Sequence, residues 1–367
     1  MLRVGIIGLP NVGKSTLFNA LVRSRKAEAA NYPFCTIHPN KGIVNVPDAR
    51  LEALAALSHS ARVVPAFVEF CDIAGLVRGA SQGEGLGNQF LSHIREADAL
   101  VHIVRCFSSS EIHHVYGTVD PLRDIEIIST ELILADIASL DRQQLRLEKI
   151  ARCGNKDAQS QLDVIQFVRK HLNAGKPAST VSLPSELKKY MKNLHLLSAK
   201  PTLFACNVTE TELSQAEELP AVKAVKGYVA STLNSRTIII SAQLESDLLD
   251  LPRKEADEYL KQLGVAESGV NTLIQQSFSL LALINFFTTG EKETKAWTIP
   301  NGATAQEAAG VIHSDFQRGF IAAETISFEE LVKIGSRTKA RELGRLRIEG
   351  KDYVVQDGDV MEFRFNV

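Results

Sequence analysis

Gly8-Leu9-Pro10-Asn11-Val12-Gly13-Lys14-Ser15 fits the pattern GxxxxGK[ST], and its place in the chain decides the fold. The apolar run Val4-Gly5-Ile6-Ile7 before it reads as a strand, and the residues from Lys14 onward read as a helix. A glycine-rich turn between strand and helix lets successive backbone N–H groups point at phosphate. Lys14 then supplies positive charge to the β- and γ-phosphates, and the Ser15 hydroxyl is a Mg²⁺ ligand. The octad specifies triphosphate binding and is silent about the base.

Working outward, the second apolar strand Phe67-Val68-Glu69-Phe70-Cys71 runs into Asp72-Ile73-Ala74-Gly75. A carboxylate at that strand end holds magnesium through water, and the Gly75 N–H meets the γ-phosphate. Five glycines between 75 and 87 describe either a loop that orders on γ-phosphate binding or a plain flexible one. Between the two motifs lies Asn31-Tyr32-Pro33-Phe34-Cys35-Thr36, where Thr36 is the candidate second protein ligand to the metal. Gly75 is followed by Leu76, where many hydrolytic relatives carry a water-orienting Gln. An apolar side chain cannot polarise water, so intrinsic hydrolysis is slow or another group acts. His114, in Phe107-Ser108-Ser109-Ser110-Glu111-Ile112-His113-His114-Val115, is the catalytic candidate beside Lys14, and also reads as a solvated loop histidine.

The base is read further on. A guanine site uses Asn-Lys-x-Asp after a strand, with the carboxylate accepting two N–H bonds. Here Leu203-Phe204-Ala205-Cys206 leads into Asn207-Val208-Thr209-Glu210, so Val208 replaces the Lys and the longer Glu210 replaces the Asp. Adenine offers an acceptor and a donor on that edge, and losing the guanine geometry loosens its exclusion. Ser241-Ala242, after Thr237 to Ile240, suits the remaining base-edge loop. Asn155-Lys156-Asp157 has the wrong spacing and no preceding strand.

The alternation of strands and helices predicts an α/β fold of P-loop NTPase type with a Ras-like, mostly parallel sheet. It is interrupted from Asp124 to Arg152 by one long amphipathic helix, with Ile125, Ile128, Leu132 and Ala135 at helical spacing, and then by a second helix after Cys153-Gly154-Asn155. The expected domains are 1–123 with 201–280 for nucleotide binding, 124–200 for a helical coiled-coil insertion, and 281–367 for a small β-grasp domain. Capping boxes at Thr304/Glu307 and Ser327/Glu330 and a terminal hairpin turning at Asp357-Gly358 mark the last of these.

The chain has 367 residues, 45% hydrophobic and 23% charged, with a formal net charge of -2. That excludes a global attraction to nucleic acid and leaves only local patches. One such run is Lys333, Arg337, Lys339, Arg341, Arg345 and Arg347 against Glu342, which reads as an RNA-phosphate contact or as a solvated surface. Five scattered cysteines argue against a disulfide framework or zinc site and for reduced buried thiols. No apolar run is long enough to cross a bilayer and no signal peptide is visible, so the expectation is a cytoplasmic protein without a membrane partner.

Together, GLPNVGKSTLFNAL at 8–21, NYPFCTI at 31–37, DIAGLVRGASQGEGLGNQFLSHIREADA at 72–99 and the NxxE at 207–210 resemble the YchF-type Obg-like ATPases, over essentially the whole chain. The resemblance implies a C-terminal TGS domain and a preference for ATP over GTP. It implies that Asn11, Val12, Gly13, Lys14, Ser15 and Thr16 cradle the phosphates, that Ser15 and Thr36 bind Mg²⁺, and that Val208 touches adenine. It further implies that a loop histidine such as His114 replaces the missing Gln, that Asn11 matches an asparagine of K⁺-activated NTPases, and that ribosomes, their subunits and rRNA, are partners in translation and stress response.

Overall fold

The computed structural model describes residues 2–24, 40–73 and 86–366. Its strands are β1 (Arg3–Ile7), β2 (Lys41–Asn45), β3 (Val63–Val64), β4 (Phe67–Asp72), β5 (Ala99–Arg105), β6 (Thr202–Asn207), β7 (Arg236–Ile240), β8 (Leu283–Thr289), β9 (Thr294–Pro300), β10 (Phe320–Ser327), β11 (Arg347–Glu349) and β12 (Asp359–Phe365). Contacts group the chain into two compact units, Met1–Val44 with Glu69–Leu273, and Asn45–Val68 with Ile274–Val367.

The first unit holds a sheet of order β2-β4-β1-β5-β6-β7, in which β1 pairs parallel with β4 and β5, and β5-β6-β7 continue in parallel. Every residue of β5 is buried, the polar His102 and Arg105 included, as a central parallel strand covered on both faces requires. Parallel registration brings the carboxyl ends together: Ile6 lies beside Asp72, and Arg105 beside Asn207. In open parallel sheets that edge is where ligands bind. Helix α1 (Lys14–Ser24) leaves it at once and buries Leu17, Phe18, Ala20 and Leu21.

The long helical pair follows the reading closely. Helix α2 (Pro121–Ala151) starts at Asp120, whose side chain accepts the Arg123 N–H at 3.2 Å, with Pro121 at the position where a missing N–H costs nothing. The partner helix α3 (Lys156–Asn173) is capped by Asn155, which accepts the Ala158 N–H at 2.9 Å. The Asn155-Lys156-Asp157 sequence is therefore a helix start. Ile133 and Leu140 of α2 pack with Val164, Ile165, Val168 and Leu172 of α3. Cys106 and Cys206 are buried, Cys71 is half-buried with its thiol pushed up to about 11 chiefly by burial, but Cys153 at the hairpin turn is exposed, against the expectation of buried thiols throughout.

The second unit holds a sheet of order β11-β10-β12-β8-β9-β3. Its grouping differs from the bounds expected from the sequence, because residues 45–68 pair there: Val63 and Val64 lie parallel to Thr294 and Lys295, and the Ala61 N–H donates to Glu291 O at 2.8 Å. The C-terminal segment also departs from the expected hairpin. Strand β12 pairs antiparallel with β10 and parallel with β8, so Asp357-Gly358 is a connection between non-adjacent strands. Gly358 takes φ 91°, and Asp357 accepts from the Asn285 N–H at 2.9 Å and from Arg50 at 2.7 Å. Thr304 and Glu307 form the complete capping box.

Candidate nucleotide-binding site

At the phosphate end, the loop's shape depends on two glycines. Gly13 sits at φ 93°, and a Cβ on it would lie 2.4 Å from Asn207 Nδ2, while a Cβ on Gly8 would lie 2.8 Å from the Ile103 carbonyl oxygen. Neither place admits a side chain. The loop delivers Lys14 and Ser15 to Asp72 at the end of β4. Ser15 Oγ lies 3.1 Å from Asp72 Oδ2 and Lys14 Nζ lies 3.5 Å from Asp72 Oδ1. Asp72 Oδ1 is buried without a hydrogen-bond partner. A carboxylate oxygen left so, next to a hydroxyl and a cation, fits a hard divalent cation with phosphate oxygens around it. Ser15 and Asp72 are therefore brought together as expected for Mg²⁺. Thr36, Gly75 and Leu76 lie outside the described residues.

At the base end, the structure gives Asn207 a role inside the protein. Its Nδ2 donates to Val12 O at 2.8 Å and its Oδ1 accepts the Ala242 N–H at 2.9 Å. The side chain, 4% exposed, ties the phosphate loop to the Ser241-Ala242 loop. Val208 is 2% exposed and belongs to the apolar cluster of Val104, Cys106, Phe204 and Val225, so its side chain is core and only its main chain remains for a base. Ser241 caps the short helix Ala242–Asp247. Glu210 accepts a hydrogen bond from the Tyr259 hydroxyl, which pushes the phenol's pKa up.

The histidine loop is bound down more tightly than its sequence indicates. His114 is paired with Asp124: Nε2 lies 2.8 Å from Asp124 Oδ2, and both side chains are 3% exposed. Its Nδ1 accepts the Tyr116 N–H at 3.2 Å, which fixes the proton on Nε2. A solvated loop histidine is thus corrected to a buried, doubly bonded one, with both ring nitrogens taken up by protein partners. Asp124 belongs to the first turn of α2, and burial pushes its carboxyl up despite the His114 bond. Arg105, 1% exposed at the end of a buried strand whose only other polar side chain is His102, holds the loop by donating to Phe107 O and Ile112 O, each at 3.1 Å. Burial lowers its pKa. Asn11 Nδ2 donates to His113 O at 3.1 Å and so joins the phosphate loop to the same segment. Sequence reasoning passed over Arg105 and Asp124; a lone cation inside a buried strand was the available signal for the first.

Half of the basic run in the second unit is already committed. Arg337 and Arg341 converge on the buried Glu324, and Arg337 also meets Glu362 at 2.8 Å. Arg347 lies near Glu349 and Asp359. The three arginines neutralise acids of the C-terminal sheet, so the net cationic patch is smaller than the sequence count. No helix among the described residues is long and apolar enough to cross a membrane.

Two family models match: one described as 50S ribosome-binding GTPase over residues 3–127, and YchF-GTPase_C, described as a protein of unknown function, over 283–366. The chain is 50% identical over 366 residues to the ribosome-binding ATPase YchF of Bacillus subtilis, covering 100% of both. It is 47% identical over 365 residues to that of Haemophilus influenzae, covering 100% of this chain and 99% of the relative. A solved structure of the Schizosaccharomyces pombe YchF GTPase superposes with a TM-score of 0.89 at 35% identity, covering 99% of this chain and 97% of that one.

Proposed function

The chain belongs to the YchF family of P-loop nucleoside triphosphatases, and from that premise we propose that it is a ribosome-associated ATPase that hydrolyses ATP, and GTP less well, as a slow nucleotide-dependent switch. The observation that carries triphosphate hydrolysis is the convergence of Lys14 and Ser15 on Asp72, with one carboxylate oxygen unpartnered. Ser15 and Asp72 hold Mg²⁺ in this reading, with Thr36 as a further ligand. When bound, the ion neutralises charge on the β- and γ-phosphates. Lys14 binds the same oxygens, and the backbone of residues 11–16 orients them. For monovalent activation, Asn11 Nδ2 is committed to His113 O, so a K⁺ ion would take Oδ1.

The preference for adenine rests on the departure of Asn207-Val208-Thr209-Glu210 from the guanine motif. Glu210 is occupied by Tyr259, and Val208 brings no charge. A carboxylate that pairs twice with guanine is missing from this arrangement, which removes the main source of discrimination against adenine. The ribosome enters through the relatives' names and through three cations of the C-terminal unit that make no ion pair among the described residues: Lys333 and Lys339 on its helices and Arg345 in the connection after them.

His114 is the residue assigned to orient the attacking water, since Leu76 cannot. Calorimetric titration of nucleotide-free protein with Mg-ATP and Mg-GTP tests the base, with tighter ATP binding expected. Tighter GTP binding, with no ribosome-stimulated hydrolysis in single-turnover assays, would instead indicate a GTP-dependent docking module.

A further inference from the structure

His114 stands at the meeting of two elements that have no other reason to be coupled. On one side, Asn11 of the phosphate loop donates to the carbonyl of the adjacent His113. On the other, Asp124 in the first turn of α2 takes Nε2 at 2.8 Å, and the Tyr116 N–H takes Nδ1. An imidazole so engaged has neither a free donor nor a free acceptor for water. At 3% side-chain exposure it is also withheld from solvent.

The pair is unevenly compensated. Asp124 Oδ1 is buried without a hydrogen-bond partner, although Arg123 approaches it at 3.7 Å. A buried acid with an unfilled acceptor keeps part of its desolvation cost, so moving the first turn of α2 outward relieves Asp124 and frees the ring in one step. Helix α2 is suited to deliver that movement. Its 31 residues make a rod about 46 Å long. The far end carries exposed Leu145 and Ile150.

We propose that Asp124 is a positioning residue for hydrolysis: it stores His114 in a non-reactive orientation, and displacement of α2 by a partner on the helical hairpin releases it. The proposal rests on the reading of His114 as the water-orienting group, and it adds the acid that withholds it and the lever that works it. Asn11 gives the loop a second input, from the occupied phosphate site.

The test uses the full-length protein. Asp124→Asn keeps the size of the side chain and removes the charge. Without ribosomes its kcat for ATP is expected to rise about tenfold, the rate equivalent of one charge-assisted hydrogen bond that no longer has to be broken. KM should be unchanged, and added ribosomes should stimulate it less than wild type. Asp124→Glu should bring the basal rate back toward wild type, and Asp124→Asn with His114→Ala should lose the gain. Tyr116→Pro removes the N–H on Nδ1 and leaves the Asp124 carboxylate in place; it also removes the ring that Arg123 lies over, so Tyr116→Ala, which keeps the N–H, is its control. The Pro variant is expected to exceed the Ala variant's basal rate about threefold even where the Asn variant folds poorly. Ring-nitrogen NMR of His114 reports its release independently of turnover. If the ring is released and His114→Ala lowers the ribosome-stimulated rate, yet both single variants hydrolyse at the wild-type basal rate, the latch is overturned and the histidine's role stands. If His114→Ala leaves the stimulated rate unchanged, the histidine's role falls and the latch with it.

Discussion

At the phosphate end of the site, Lys14 and Ser15 converge on an acid with an unpartnered oxygen, whereas at the base end both functional atoms of the Asn207 amide are taken up by Val12 and Ala242. The first arrangement is incomplete without a ligand; the second is complete without one. Unsatisfied buried groups mark where binding energy is available, and satisfied ones mark where it has been used to hold the fold. Affinity should therefore come from the triphosphate and its metal, and the base should contribute mainly shape.

That contrast is open to attack at three positions. Lys14→Ala removes the cation at the phosphate end and should weaken Mg-ATP binding about 100-fold in calorimetry, the loss of a strong charge-assisted contact. A loss below about tenfold would mean that the backbone alone carries the phosphates. Asn207→Ala leaves the Val12 carbonyl and the Ala242 N–H unpaired and should cost about 2–4 kcal/mol of stability in denaturant unfolding of the nucleotide-free protein. If it lowers affinity while stability holds, the asparagine is a ligand contact and the contrast fails. Tyr259→Phe frees Glu210 at the base edge and should change the ATP-to-GTP affinity ratio by less than about threefold. A larger change in favour of GTP would show that the tyrosine is what keeps this carboxylate from guanine.

The same contrast separates what the sequence made legible from what it hid. Phosphate-loop chemistry is local: strand, glycine turn and helix start are contiguous, so Gly8 to Ser15 could be read directly. The long helices were legible because their apolar spacing and the capping Asn155 are also local signals. Asn207 was legible as a motif position, but its attachment to Val12 and Ala242 spans the sheet and has no sequence signature. His114 looked like a loop histidine because its partner Asp124 belongs to a different element. The basic run looked open because Glu324, which collects Arg337 and Arg341 from a helix, lies on strand β10. In each case the hidden part is a side chain's partner across a long sequence separation.

The grouping of residues 45–68 with the C-terminal sheet bears on how the chain is made. This segment, with a helix whose Leu51 and Leu54 are destined for burial, is synthesised long before β9, the strand with which its β3 pairs. Chains fold as they leave the exit tunnel at a pace of about 5–20 residues per second. The early segment must therefore wait with apolar surface uncovered. A nascent chain arrested before residue 283 lacks the surface for which that segment is shaped, which makes the interval before β8 and β9 are synthesised a period of exposure to aggregation and to chaperones.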